Sequence, residues 1–173
     1  TPGTLITTRK GEVPVEDLQV GDEVLTRDNG FRPLIWTGRR DLTVAELAVN
    51  PALRPIRIAA GALGQGLPLR DMIVSPQHRM LMEGYRAEML FGEAEVLVAA
   101  RHLTDLPGVA TAFVPGVSYI HVMFDQHEII CADGAWTESF QPAQRMLDSM
   151  DAEQAEEILC LFPDLEWRES AFP

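Results

Sequence analysis

Ser75-Pro76-Gln77-His78-Arg79 carries one of the four histidines of this chain, three residues after a hydroxyl and next to a guanidinium. A hydroxyl and an imidazole placed across a short turn can share a proton, which acyl transfer and departure of an amine both require. A second set of such groups lies in the stretch from Val117 to Phe124. Side chains alternate across a strand, so Ile120, Val122 and Phe124 fall on one face, and Tyr119, His121, Met123 and Asp125 on the other. His127 shares the second face if the strand stays regular. One face builds core, and the other offers two imidazoles and a carboxylate. An aspartate beside a histidine fixes its tautomer and raises its basicity. The candidate site residues are therefore His78, Ser75, His121, Asp125 and His127; His102 reads as structural.

Several chemistries are disfavoured. The Gly-x-Ser-x-Gly elbow of serine hydrolases is absent around Ser75. Zinc could be bound by several imidazoles, but no cysteine pair or His-x-x-x-His spacing supports it, so no metal and no cofactor is expected. The glycine-rich run Gly61 to Gly66 lacks the Lys-Ser/Thr of a phosphate loop. A net charge of -12 argues against a nucleic-acid partner. No apolar run approaches membrane-spanning length, so no membrane insertion is expected. Cys131 and Cys160 are expected to be free and mostly buried thiols.

The elements that must position these groups read as mainly β. Thr4 to Thr8 and Glu23 to Arg27 are strand-like, and Asp28-Asn29-Gly30 suits a type I′ hairpin. Phe31 to Gly38 is the expected return strand, with Pro33 pushing it to an edge. Thr43 to Val49 suits one or two helical turns ended at Asn50-Pro51. Met72 to Val74 leads into the Ser75–His78 stretch, and Met80 to Met82 leaves it. Glu93 to Arg101 is ambiguous between strand and helix. Glu128 to Cys131 is a strand, followed by a tight turn at Asp133-Gly134. After Gln141-Pro142, apolar residues recur at helical spacing, first from Ala143 to Met150 and then from Ala152 to Phe162, with Pro163 as a stop. Two units are expected: a β domain over 1–140 and a helical extension over 141–173 packed on it.

In that order the segments resemble the Hint domains shared by hedgehog C-terminal regions and inteins. TPGTLITTRKGEVPVEDLQVGDEVLTRDNG resembles the opening block, SPQHRML the second block with its Thr/Ser-x-x-His pattern, and HEIICADG a late block. The likeness is greatest to bacterial Hint-type domains of secreted, repeat-containing proteins. It implies a pseudo-twofold, horseshoe-like β disc with a short C-terminal helical hairpin. It also implies a single-turnover reaction, in which a cysteine attacks the preceding carbonyl and turns a peptide bond into a thioester. The substrate would be the domain's own upstream polypeptide, and the setting secreted or cell-surface. On this resemblance His78 matches the histidine that contacts the scissile amide, and Ser75 the Thr/Ser of the same pocket. His121 or Asp125 falls near the late position that assists the first step. His127 matches the late-block histidine.

The sequence departs from the family pattern twice. The family places a cysteine two positions before the residue matching Thr1, so the chain from Thr1 onward is expected to be inactive in the first step. Inteins end in His-Asn, whereas Thr137-Glu138-Ser139 stands here, so full splicing is not expected. The competing readings are a non-catalytic Hint-fold structural or interaction module and a small metal-binding β domain.

Overall fold

The computed structural model describes residues 1–140, 156–157 and 160–162. Strands form where β-branched and apolar residues alternate. They are β1 (Leu5–Thr8), β2 (Gly11–Pro14), β3 (Glu23–Thr26), β4 (Gly30–Pro33), β5 (Trp36–Thr43), β6 (Ile56–Ile58), β7 (Met72–Val74), β8 (Arg79–Glu83), β9 (Glu95–Ala99), β10 (Val109–Thr111), β11 (Gly116–Met123), β12 (Ile129–Ala132) and β13 (Ala135–Glu138). Two short helices, α1 (Val44–Val49) and α2 (Tyr85–Phe91), interrupt them. Among the described residues the main sheet runs β2-β1-β3-β12-β13-β8-β9, with β4 on the outer side of β3; β10-β6-β7 and β11-β5 form smaller sheets. All strand pairs are antiparallel. The mainly β architecture is as expected.

Two glycine turns behave differently from each other. The Asp28-Asn29-Gly30 connection is not a type I′ turn, because only Gly30 has positive φ, at 65°. Asn29 instead uses its side-chain amide to donate to Glu128 at 3.0 and 3.1 Å. The type I′ requirement of two positive φ angles is met at Asp133 (46°) and Gly134 (79°), which join β12 to β13 with Ala132 opposite Ala135. That hairpin sets the register of β13 against β12, with Thr137 opposite Ile130, and so bears on the site.

The expected return strand from Phe31 to Gly38 is broken. Leu34 is 1 % exposed and donates its N–H back to Asp22 O at 2.9 Å, while Ile35 N–H donates to Met123 O at 2.9 Å. Burying one residue there redirects the chain, so β4 ends as a sheet edge and β5 leaves to pair with β11. The ambiguous stretch resolves as β9 followed by a 3-10 turn, Ala100–Leu103. Helix α2 was not legible: its only buried residue is Ala87, and glycines at both ends define it.

The main core runs from Ile6 and Val24 through Ile58, Met80 and Met82 to Val98 and Ile130. A second cluster gathers Leu42, Leu47, Leu53 and Tyr119 around Leu161. The face of β11 assigned to polar groups is thus covered at Tyr119, whose hydroxyl donates to Leu53 O at 2.7 Å. Residues 156–157 and 160–161 are helical; the first expected tail helix, near 143–150, lies outside the described residues. Both cysteines are free, Cys131 half-buried and Cys160 exposed, so the expected burial of Cys160 does not hold. No helix among the described residues is long and apolar enough to cross a membrane.

Candidate functional site

Strand β7 runs into a turn closed by His78 N–H donating to Ser75 O at 3.2 Å. The 3-10 turn after β9 holds it from one side: Ala100 N–H donates to His78 O and Arg101 N–H to Pro76 O, both at 2.9 Å. On the other side β13 lies beside β8, with Thr137 opposite Met80. That register brings Thr137 Oγ1 into a hydrogen bond with His78 Nε2. The same hydroxyl donates to Arg79 O at 3.0 Å. A hydroxyl has one proton. With that proton on the carbonyl, Nε2 is the donor to Thr137, and Nδ1 is left as an acceptor.

His121 is placed by β11, opposite Gly38 of β5. A side chain at Gly38 would put its Cβ 2.0 Å from the Trp36 ring, so glycine is what lets the indole lie across the strand. Phe140 and Phe162 meet the His121 ring edge-to-face at 5.8 and 5.3 Å. Trp36 packs on both phenylalanines at 5.5 and 5.8 Å. This aromatic box fixes the imidazole without a charged partner.

Thr1, Ser75, His78, His121, Thr137 and Glu138 line one narrow cavity of about 60 Å³. Burial, then His121, then the Thr1 α-amine pull His78 down to about 3. Burial and the same amine pull His121 down to about 4. Both imidazoles are therefore neutral at physiological pH. Burial also pulls the Thr1 amine down to about 6, against the pull of Glu16 and Asp133.

The first residues are held into this cavity by several independent bonds. Thr1 Oγ1 donates to Ile73 O at 2.8 Å. Gly3 N–H donates to the Glu16 carboxylate at 2.8 and 3.0 Å. Arg70 donates to Gly3 O at 2.8 Å and pairs with buried Asp133 at 2.5 Å. Leu5 N–H donates to Asp133 Oδ1 at 3.2 Å. The type I′ hairpin thus both sets the register of Thr137 and anchors the segment after Thr1.

Of the residues singled out from sequence, the fold brings His78, Ser75 and His121 to the cavity. Ser75 is buried, and its hydroxyl acts on the Glu157 carboxyl behind the turn. Asp125 is not with them: β11 ends at Met123, and Asp125, 57 % exposed, pairs with Arg32 at 2.7 Å. The expected aspartate–histidine pair does not form. His127 also lies off the strand, 3.5 Å from Glu138 Oε2. His102 accepts from Arg101 Nε at 3.1 Å. Thr137 and Glu138 were not recognised as site residues, because a partner 59 residues away leaves no local signal. Among the described residues no group of three or more His, Cys, Asp or Glu could hold a metal ion.

A family model described as Hint domain matches residues 1–144. Solved structures with a similar fold include a glutathione-linked, splice-inactive variant of the AceL NrdHF class 3 split intein. It is 15 % identical, with 81 % of this chain and 97 % of that chain covered, at a TM-score of 0.52. The MchDnaB-1 intein is 14 % identical over 79 % of this chain and 96 % of that chain, with a TM-score of 0.47. At such identities the likeness shows the fold alone. No curated protein matches the chain.

Proposed function

This chain belongs to the Hint domain family, and from that premise we propose that it is an auto-processing domain acting on the polypeptide that leads into Thr1. One observation carries the reading: Thr1 lines the cavity that His78 and His121 line, with its backbone nitrogen buried there. A peptide arriving at Thr1 has to pass these two rings.

The reaction needs a cysteine (or serine) two positions before Thr1, as in the family pattern. With that residue present, neutral His78 accepts the thiol proton at Nδ1. Sulfur bonds to the preceding carbonyl carbon, and the imidazole returns the proton to the departing amide nitrogen as the C–N bond breaks. The products are a thioester to the upstream segment and a free amine on the cysteine. Water or a thiol then attacks the thioester carbonyl, which releases the segment and restores the cysteine thiol. Thr137 holds the Nε2–H tautomer, and His121 guards the far wall. With Thr137-Glu138-Ser139 in place of an asparagine-bearing end, cleavage without ligation is the expected outcome.

The test is a fusion carrying a removable tag, then Cys and one further residue, then Thr1 onward. Tag release followed on a gel should accelerate with added thiol. His78→Ala should slow it by about a hundred-fold or more, the usual size of a proton-transfer contribution. Equal release in His78→Ala would exclude the role given to the imidazole.

A further inference from the structure

The outer side of the Ser75–His78 turn is held by a group the reaction does not use. Gln77 N–H donates to Glu157 Oε2 at 3.0 Å, across 80 residues of chain. Both residues are buried, Gln77 at 9 % and Glu157 at 7 % exposed. Glu157 does not line the histidine cavity. It lines a separate pocket of about 470 Å³ behind the turn, with Gln77, Arg54, Arg101, Glu156 and Cys160. With its side-chain amide turned toward Arg101, Gln77 also accepts from that guanidinium at 3.0 Å. The segment that carries Glu157 is anchored on both flanks of the site. Leu161 is 1 % exposed in the second core cluster, and Phe162 meets the His121 ring at 5.3 Å.

A carboxylate at this depth costs free energy unless it is bonded, and the groups that bond this one, the Gln77 N–H and the Ser75 hydroxyl, both belong to the His78 turn. We propose that Glu157 is a positioning residue for the reaction at His78: its carboxylate grips the turn from outside and holds the imidazole at the distance the cavity requires. The inference rests on the auto-processing reading above. Its groups also make it sensitive to pH. Burial raises the carboxyl to about 7; the Ser75 hydroxyl, Gln77 N–H and Arg101 oppose this, and Glu138 adds to it. Tyr119 of β11 faces it too and feels its charge. Below about 7 the carboxyl takes up a proton and its bond to Gln77 N–H weakens, because a neutral acceptor is weaker than an ionised one.

Two readouts on the full chain test this. In the tagged fusion, Glu157→Gln keeps an acceptor oxygen for Gln77. It should release the tag within about three-fold of the parent while losing the limb of the pH profile with midpoint near 7. Glu157→Leu, similar in volume and without an acceptor, should slow release by about ten-fold or more and shift the His78 ring resonances, with thermal melting showing that it is folded. The Gln77 amide proton should titrate near pH 7 in the parent and not in Glu157→Gln. Parent-like release by Glu157→Leu, or a Gln77 amide indifferent to pH, would overturn the positioning role alone. A parent fusion that releases nothing would overturn the auto-processing reading and this role with it, even if Gln77 titrates as expected.

Discussion

The His78–Thr137 pair joins a histidine that local spacing makes visible to a threonine that it does not. Ser75-x-x-His78 announces itself, because a turn of that length brings its ends together. His121 is legible too, since strand alternation places it opposite the apolar face. Asp125 failed for a physical reason: the alternation held only to Met123, and past that point the carboxylate found Arg32 instead of an imidazole. Replacing Thr137 by Val keeps the shape and removes the acceptor of the Nε2–H bond. An unpaired buried donor costs about 1–3 kcal/mol, so Thr137→Val should melt lower and release a tag at least about ten-fold more slowly. A parent-like rate would mean that the tautomer is fixed some other way. Titration gives a second expectation. Both imidazoles are held neutral, with folded values of about 3 and about 4 against an ordinary 6.5. Below 6.5 the unfolded chain therefore binds more protons than the folded one, and stability present at neutral pH is lost as pH falls. Glu157 acts in the opposite sense, its raised carboxyl withdrawing stability as pH climbs through about 7. The melting temperature should thus drop between about pH 6.5 and 4. The drop should be shallower in His121→Phe, whose ring fits the same aromatic box; identical slopes would contradict the assignment.

Strands and hairpins carry these residues, and here legibility was uneven. β1, β3, β7, β11 and β12 follow from their β-branched residues, and β8 from the apolar run Met80-Leu81-Met82. Of the two glycine turns, the sequence favours Asp28-Asn29-Gly30 for the type I′ geometry, and the structure gives it to Asp133-Gly134 instead; Asn29 and Asp133 both tolerate positive φ, so residue type alone misleads. What separates them is tertiary: Glu128 claims the Asn29 amide, while Arg70 and Leu5 claim the Asp133 carboxylate. The break at Leu34–Ile35 is tertiary as well, set by burial of Leu34. Gly38 shows how an element reaches the site. Its missing side chain leaves room for Trp36, and Trp36 with Phe140 and Phe162 packs around His121. Gly38→Ala would place a carbon 2.0 Å from the indole and force the ring to move. Overpacking of this kind costs about 1–3 kcal/mol. The variant should also change the near-ultraviolet circular dichroism of the aromatic box, and an unchanged spectrum would show that Trp36 yields without disturbing it.

At the scale of the molecule, distant parts of the chain converge on one cavity. The opening segment enters it under the grip of Glu16, Arg70 and Asp133; the middle of the chain supplies His78 and His121; the late hairpin supplies Thr137; and Glu157, Leu161 and Phe162 pack from the outside. The order of blocks along the sequence was enough to expect this family and a mainly β domain. It was not enough to see that the tail reaches the turn before His78 and the His121 ring, since helical periodicity states only that one face is apolar. On the proposed reading, the peptide leading into Thr1 is activated as a thioester inside this cavity. Mass spectrometry of the tag released from the cysteine-bearing fusion, in the presence of a small thiol, tests it most directly. The released tag should end as the thioester of the added thiol, at the residue before the cysteine, and no such species should come from His78→Ala. A fusion that stays intact, or a tag that ends anywhere else, would contradict it.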